Sequence, residues 1–226
     1  MKSFFDKCSE RSKRLIDVAL HTNQTFETLR LVQELQAEKN DIVNISPAFF
    51  QNVKRNCIEV LFIEIAKMYS HDRESEGIRA LLCDMNMHLG QLKMGKSIQI
   101  NWFSSFTDTT PDVRQYDNLK VMVEDLGDVI NNQQDIIDNI MKQRNKYYAH
   151  LDKKAANSQD FFEKNKVTYH NLQDLLLLNM NITNAVYMYF HNSTVMPLCS
   201  NYDDVKSIIW YAERGVEERR KNHDQL

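Results

Sequence analysis

Three observations predict an all-α helical bundle of about six helices with one long central helix. Apolar residues recur every three or four positions over most of the chain, the spacing of one helix face. The 226 residues include only five glycines and three prolines, and Pro47, Pro111 and Pro197 all fall between periodic stretches, so the turn-rich punctuation of a β protein is missing. A content of 42% hydrophobic and 26% charged residues supplies both a core and a solvated exterior. Disorder is therefore excluded, and residues 1–226 are expected to form one helical domain.

The first helix is expected over about residues 9–39, with Leu15, Ala19, Thr22, Phe26 and Leu29 on one face. Ser46 and Pro47 read as the N-cap and first turn of a second helix carrying Phe50, Val53, Cys57, Leu61, Ile65 and Met68. A third starts near Glu74 and uses Ile78, Leu81, Leu82, Met85 and Leu89. Residues 90–111 lose the helical period and are expected to be an irregular connection, with one short strand where Ile98, Ile100 and Trp102 alternate. The long central helix is predicted over about residues 112–151. Its seam runs Tyr116, Leu119, Val123, Leu126, Ile130, Gln133, Ile137, Ile140, Arg144, Tyr147 and Leu151, with a bend or break near Gly127. A polar stretch to Lys166 precedes a fifth helix bearing Leu172, Leu175, Leu176, Ile182, Val186 and Tyr189. A sixth begins near Asn201 with Tyr202, Val205, Ile208, Ile209, Ala212 and Val216, and residues 217–226 read as a solvated tail.

Cys8, Cys57, Cys83 and Cys199 are far apart, with no C-x-x-C pair and mostly apolar neighbours. They are expected to be buried free thiols of a cytoplasmic protein. No apolar run approaches the ~20 residues that span a bilayer, and no signal-peptide core follows the N-terminus. Histidines and cysteines are not spaced as zinc ligands, so no metal and no cofactor is expected. The net charge of -3 excludes a protein that coats nucleic acid through bulk positive charge. Charge is nevertheless uneven. Lys142, Arg144, Lys146, Lys153 and Lys154 face Asp152 alone between residues 142 and 154, a local balance of +4.

One pattern is discounted on its context. Gly90 to Ser97 satisfies G-x-x-x-x-G-K-[ST], in which backbone amides, the lysine and the hydroxyl hold a nucleotide's phosphates and magnesium. A phosphate loop leaves a strand and opens a helix, whereas here a helical period precedes and an extended one follows. An NTP-binding protein using Gly90 to Ser97, with Lys96 as its lysine, is the weakest of three functional readings.

The seam supplies a stronger candidate. A guanidinium on a helix interface is costly unless a carboxylate, a phosphate or solvent meets it, so Arg144 either pairs structurally or is kept for an anion. Asn145 follows directly, and His150 lies six positions on. His150 could also act as a helix C-terminal capping residue, and Tyr147 reads as core. The run Arg144-Asn145-Lys146-x-x-Ala149-His150-x-Asp152 resembles the arginine, four to six residues, histidine motif of the HEPN superfamily of helical-bundle ribonucleases. In its extended form it is similar to the AbiU-type abortive-infection branch.

The resemblance implies a metal-independent endoribonuclease of a phage-defence or toxin-antitoxin system, with RNA as substrate and a cognate antitoxin as partner. RNA carries its own nucleophile, so cleavage needs a base, an acid and cationic stabilisation of the phosphoryl group. Arg144 would hold the scissile phosphate, His150 would transfer protons and Asn145 would orient either. Lys146, Tyr148, Asp152 and Lys153 are the supporting or RNA-binding candidates. Six positions along a straight helix turn the side chain by about 120°, so either the helix ends here or a second subunit contributes. The resemblance implies the latter, a homodimer in which two motifs share one cleft. The alternative is a non-catalytic helical module that binds RNA or protein through the same basic patch.

Overall fold

Helices form where the three-to-four spacing runs longest. The computed structural model describes residues 2–38, 40–72, 74–92, 97–106, 110–148, 159–195 and 202–223. Along the chain these are α1 (Phe4–Glu38), α2 (Asn40–Val43), α3 (Pro47–Met68), α4 (Ile78–Met87), a 3-10 turn (Leu89–Gln91), β1 (Ile98–Trp102) and β2 (Asp112–Tyr116). There follow α5 (Leu119–Asn131), α6 (Gln134–Gln143), a π-helical turn (Arg144–Tyr148), α7 (Gln159–Lys164), α8 (Tyr169–His191) and α9 (Tyr202–His223). The architecture is all-α, with one small antiparallel hairpin as the β element among the described residues. Among the described residues no helix is long and apolar enough to cross a membrane.

The chain divides into two units, residues 1–22 with 62–197 and residues 23–61 with 198–226. In the second unit Phe26, Leu29, Val32, Leu35, Ile42, Val43 and Leu61 are buried, and α2 packs on α9. Arg214 of α9 lies over the Trp210 ring, 3.9 Å from its centroid. Glu217, Glu218 and Lys221 are exposed, yet the helix continues past them to His223. The side chains of Val205, Ile208 and Val216 lie outside the described residues, as does Cys199.

The first unit contains the candidate chemistry. Its core takes Leu15, Ile16 and Ala19 from α1, Ile65 and Met68 from α3, Leu81 and Met85 from α4, and Leu175, Leu176 and Ile182 from α8. Arg11 of α1 fixes the turn before α4. Its guanidinium donates to the Ser75 carbonyl at 2.5 Å, to those of Gly77 and Glu76 at 2.9 and 3.2 Å, and to the Asp84 carboxylate at 3.0 Å. The turn also needs a glycine, because a Cβ on Gly77 would meet the Lys67 and Met68 carbonyl oxygens at 2.5 and 2.6 Å. Gly77 therefore lets α4 start directly against the end of α3.

The predicted strand at Ile98, Ile100 and Trp102 is β1, but residues 112–116 are β2 rather than the start of the central helix. A lone strand leaves its backbone donors and acceptors unpaired, and this segment supplies the ladder, with Ile98 opposite Tyr116 and Trp102 opposite Asp112. The Arg114 guanidinium covers the Trp102 ring at 3.5 Å. Asp125 of α5 accepts from both Arg114, at 3.2 Å, and the Tyr116 hydroxyl, so the hairpin is tied to the following helix. Burial, then the Asp125 carboxylate, push the Tyr116 phenol above its ordinary range.

The central helix breaks at Asn132 and Gln133, five residues beyond the expected Gly127. Gly127 stays helical inside α5. Helix α8 begins with a reciprocal cap between Thr168 and Asn171. Two of its buried asparagines clamp other segments by their backbone. The Asn181 amide accepts from and donates to Phe103, both at 2.9 Å, and Asn184 does the same to Val195 at 2.8 Å. Each clamp satisfies a buried amide with two hydrogen bonds and seats the polypeptide just after β1 and just after α8.

Candidate functional site

Helix α6 is amphipathic, and the face it buries carries Ile137, Ile140 and Gln143. The seam thus passes to Gln143 rather than to Arg144. Gln143 is 5% exposed and its amide donates to the Asn165 carbonyl at 2.6 Å, which ties the end of α6 to the segment after α7. This shift releases Arg144 from the interior. Arg144 is partly exposed and opens the π-helical turn. Its backbone N–H still bonds to the Ile140 and Met141 carbonyls, so the turn is continuous with α6.

A π turn holds one residue more than an α turn, and such turns recur at functional sites. The 120° separation calculated for a straight helix therefore does not apply from Arg144 onward. Arg144 Nη1 donates to Asn145 Oδ1 at 2.6 Å, and Asn145 itself is exposed. The contact uses one of the five guanidinium donors, and among the described residues no other hydrogen bond from Arg144's side chain is seen. Among the described residues no carboxylate pairs with Arg144.

The other expected site residues take separate positions. Lys146 is exposed, with Nζ 5.5 Å from the centre of the Phe161 ring of α7. Tyr148 is half-buried, its ring 4.7 Å from that of Phe62. It packs on Phe62 of α3. Lys142, in the last turn of α6, is exposed. His150, Asp152 and Lys153 lie outside the described residues, as does the Tyr147 side chain. Gln143 is the contributor that sequence reasoning missed. Residue type gave no signal, since a glutamine next to an arginine at the end of a seam does not show which of the two is buried.

The G-x-x-x-x-G-K-[ST] segment has the wrong neighbours for a phosphate loop. It follows α4 and a 3-10 turn containing Gly90, and Ser97 leads into β1, so a helix precedes it and a strand follows. Leu92 is buried, and Lys96 lies outside the described residues. The thiols divide as well. Cys8 and Cys57 are buried, and burial pushes the Cys8 thiol up to about 11 and raises that of Cys57. Cys83, expected in the core, is exposed.

Neither curated proteins nor solved structures give a match. The family model of AbiU2, within HEPN, matches residues 6–208, which include both strands, the Arg144 turn and the start of α9. With nearly the whole chain matched, this protein belongs to the AbiU2 family, an abortive-infection branch of the HEPN superfamily.

Proposed function

We propose that the chain is a cytoplasmic, metal-independent endoribonuclease that acts in phage defence or as the toxin of a toxin-antitoxin pair. The observation that carries this reading is the Arg144–Asn145 pair at the mouth of the π turn. It combines a partly exposed guanidinium steadied by an exposed amide, flanked by Lys142 and Lys146, with no carboxylate pairing among the described residues. Such an arrangement suits a phosphate, which a guanidinium can grip through two oxygens.

In the proposed reaction the RNA 2'-oxygen attacks the adjacent phosphorus and the bond from phosphorus to the 5'-oxygen breaks. His150 takes the 2'-hydroxyl proton, and a second imidazolium, His150 of the partner subunit in a homodimer, gives a proton to the departing 5'-oxygen. Arg144 stabilises the charge that builds on the phosphoryl oxygens, and Asn145 holds Arg144 in place. The products are a cyclic 2',3'-phosphate and a free 5'-hydroxyl. Lys146 and Lys153 contribute to holding the RNA backbone, so affinity falls steeply with salt.

The test is purified protein with total RNA in chelator, wild type beside His150→Ala. Cleavage by the wild type alone, with cyclic phosphate ends, supports the reading. A strict magnesium requirement overturns the mechanism, and RNA binding without cleavage identifies the non-catalytic module instead.

A further inference from the structure

Away from the Arg144 turn, the first unit has a cleft of about 410 Å³ between α4 and α5. That volume lies in the range of small-molecule sites. The floor is apolar, with Leu82, Val123 and Ile130 all at most 5% exposed. The rim is polar. Asn86 and Asn131 bring amides that both donate and accept, Glu124 and Asp128 bring acceptors one helical turn apart, and Arg79 brings donors.

Gly127 indicates that the space is kept open. It lies within α5 and lines the cleft, and a Cβ added there would meet nothing within 4 Å. Glycine in a helix interior is destabilising relative to alanine, and neither packing nor a turn at this position calls for it. Leaving out the side chain deepens the cleft by the volume that a side chain would fill.

The lining selects a ligand class. Two carboxylates at the mouth disfavour a phosphate, while an apolar floor edged by donors and acceptors suits a planar heterocycle whose polar groups lie on its rim. Carboxylates accept hydrogen bonds from exocyclic amino groups, as they do from cytosine N4. Lys120 Nζ already lies 3.6 Å from Glu124, and Arg79 adds a second cation, so a cationic side chain fits less well than a neutral base. We propose that the α4–α5 cleft binds one unstacked nucleobase and prefers bases with an exocyclic amino group. Resting on the ribonuclease reading, that base belongs to the RNA being cleaved. Arg79 of the cleft donates to Gln134, the first residue of α6, and ten residues of helix, about 15 Å of rise, separate Gln134 from Arg144. A few nucleotides of single strand connect the two positions.

Cys83 lines the cleft and is exposed, whereas Cys8 and Cys57 are buried, so it reports on occupancy. In full-length Cys199→Ser protein, alkylation of Cys83 by N-ethylmaleimide is timed with cytidine, adenosine, guanosine or uridine present. A nucleoside at ~10 times its Kd slows the reaction about tenfold by mass action. Cytidine, adenosine and guanosine are expected to do so at lower concentration than uridine. Equilibrium dialysis of labelled cytidine should show binding to the wild-type chain and to His150→Ala, and none to Gly127→Leu. Nucleoside binding without RNA cleavage would sink only the ribonuclease reading. The base site itself is overturned if no nucleoside protects Cys83, or if an arginine-containing peptide protects it and nucleosides do not. Should Gly127→Leu fail to fold, the wild-type protection series decides alone.

Discussion

Arg11 and Arg144 lie in the same unit and face opposite situations. The Arg11 side chain is 11% exposed and meets three carbonyl oxygens and the carboxylates of Asp84 and, at 3.8 Å, Glu76, so its donors are spent on holding the turn before α4 against α1. Arg144 is partly exposed, donates to the amide of its sequence neighbour, and among the described residues pairs with no carboxylate. A buried cation is tolerated when every donor finds an acceptor, and an accessible cation with spare donors is available to an anion. The first arginine holds the fold together and the second is the one proposed to meet a ligand, a distinction that residue type alone does not make.

The largest expected effect breaks the second side of the comparison. Arg144→Ala and His150→Ala should each lower RNA cleavage by about 10³-fold, since both act on the transition state. Their melting curves should match wild type. If both variants unfold and the wild type does not cleave, Arg144 is structural like Arg11.

Arg11→Ala should show the converse. Leaving three carbonyls and Asp84 without their donor is expected to cost about 3 kcal/mol in denaturant unfolding. Cleavage per folded molecule should not change, and a selective loss of activity at wild-type stability would contradict the assignment.

Two glycines sharpen the contrast with smaller effects of opposite sign. Gly77→Ala puts a Cβ against the Lys67 and Met68 carbonyls and should destabilise by about 2 kcal/mol. Gly127→Ala meets nothing and should stabilise by up to about 1 kcal/mol. Matching signs in thermal unfolding would show that the two sites do not differ as described.

The smallest effect concerns His191 at the end of α8. Its Nε2 lies 3.1 Å from the Ser12 hydroxyl and 3.2 Å from the Ser9 carbonyl oxygen. Burial, opposed by the Ser9 carbonyl and aided by Lys13, holds the imidazole below its usual 6.5. The unfolded chain therefore takes up this proton more readily than the folded one. Stability is at its full value above about pH 6.5 and declines as the pH falls through the lower folded value. The wild-type curve minus that of His191→Gln should slope down below that pH. A flat difference would mean that the contact does not couple to protonation.

Local spacing was enough to locate α3 from Ser46 and Pro47 and α8 from Leu172 to Val186, because helical periodicity is a property of neighbouring residues. It also brought out Arg144 with Asn145, since covalent neighbours stay together in any fold, and the strand at Ile98 to Trp102 from its alternation. Contacts between distant segments settled the remainder. Asp112–Tyr116 became a strand because β1 needed a ladder partner, and the helix broke at Asn132 rather than at Gly127, whose missing side chain opens a cleft. Asn181 and Asn184 became clamps because Phe103 and Val195 presented backbone to them. At the candidate site the carbonyl of Asn165, 22 positions away, captured Gln143 and left Arg144 facing outward. A periodic seam specifies that one side of α6 is buried, but a difference of a single residue in phase, set by packing from elsewhere in the chain, selects which polar side chain lies inside and which reaches the surface.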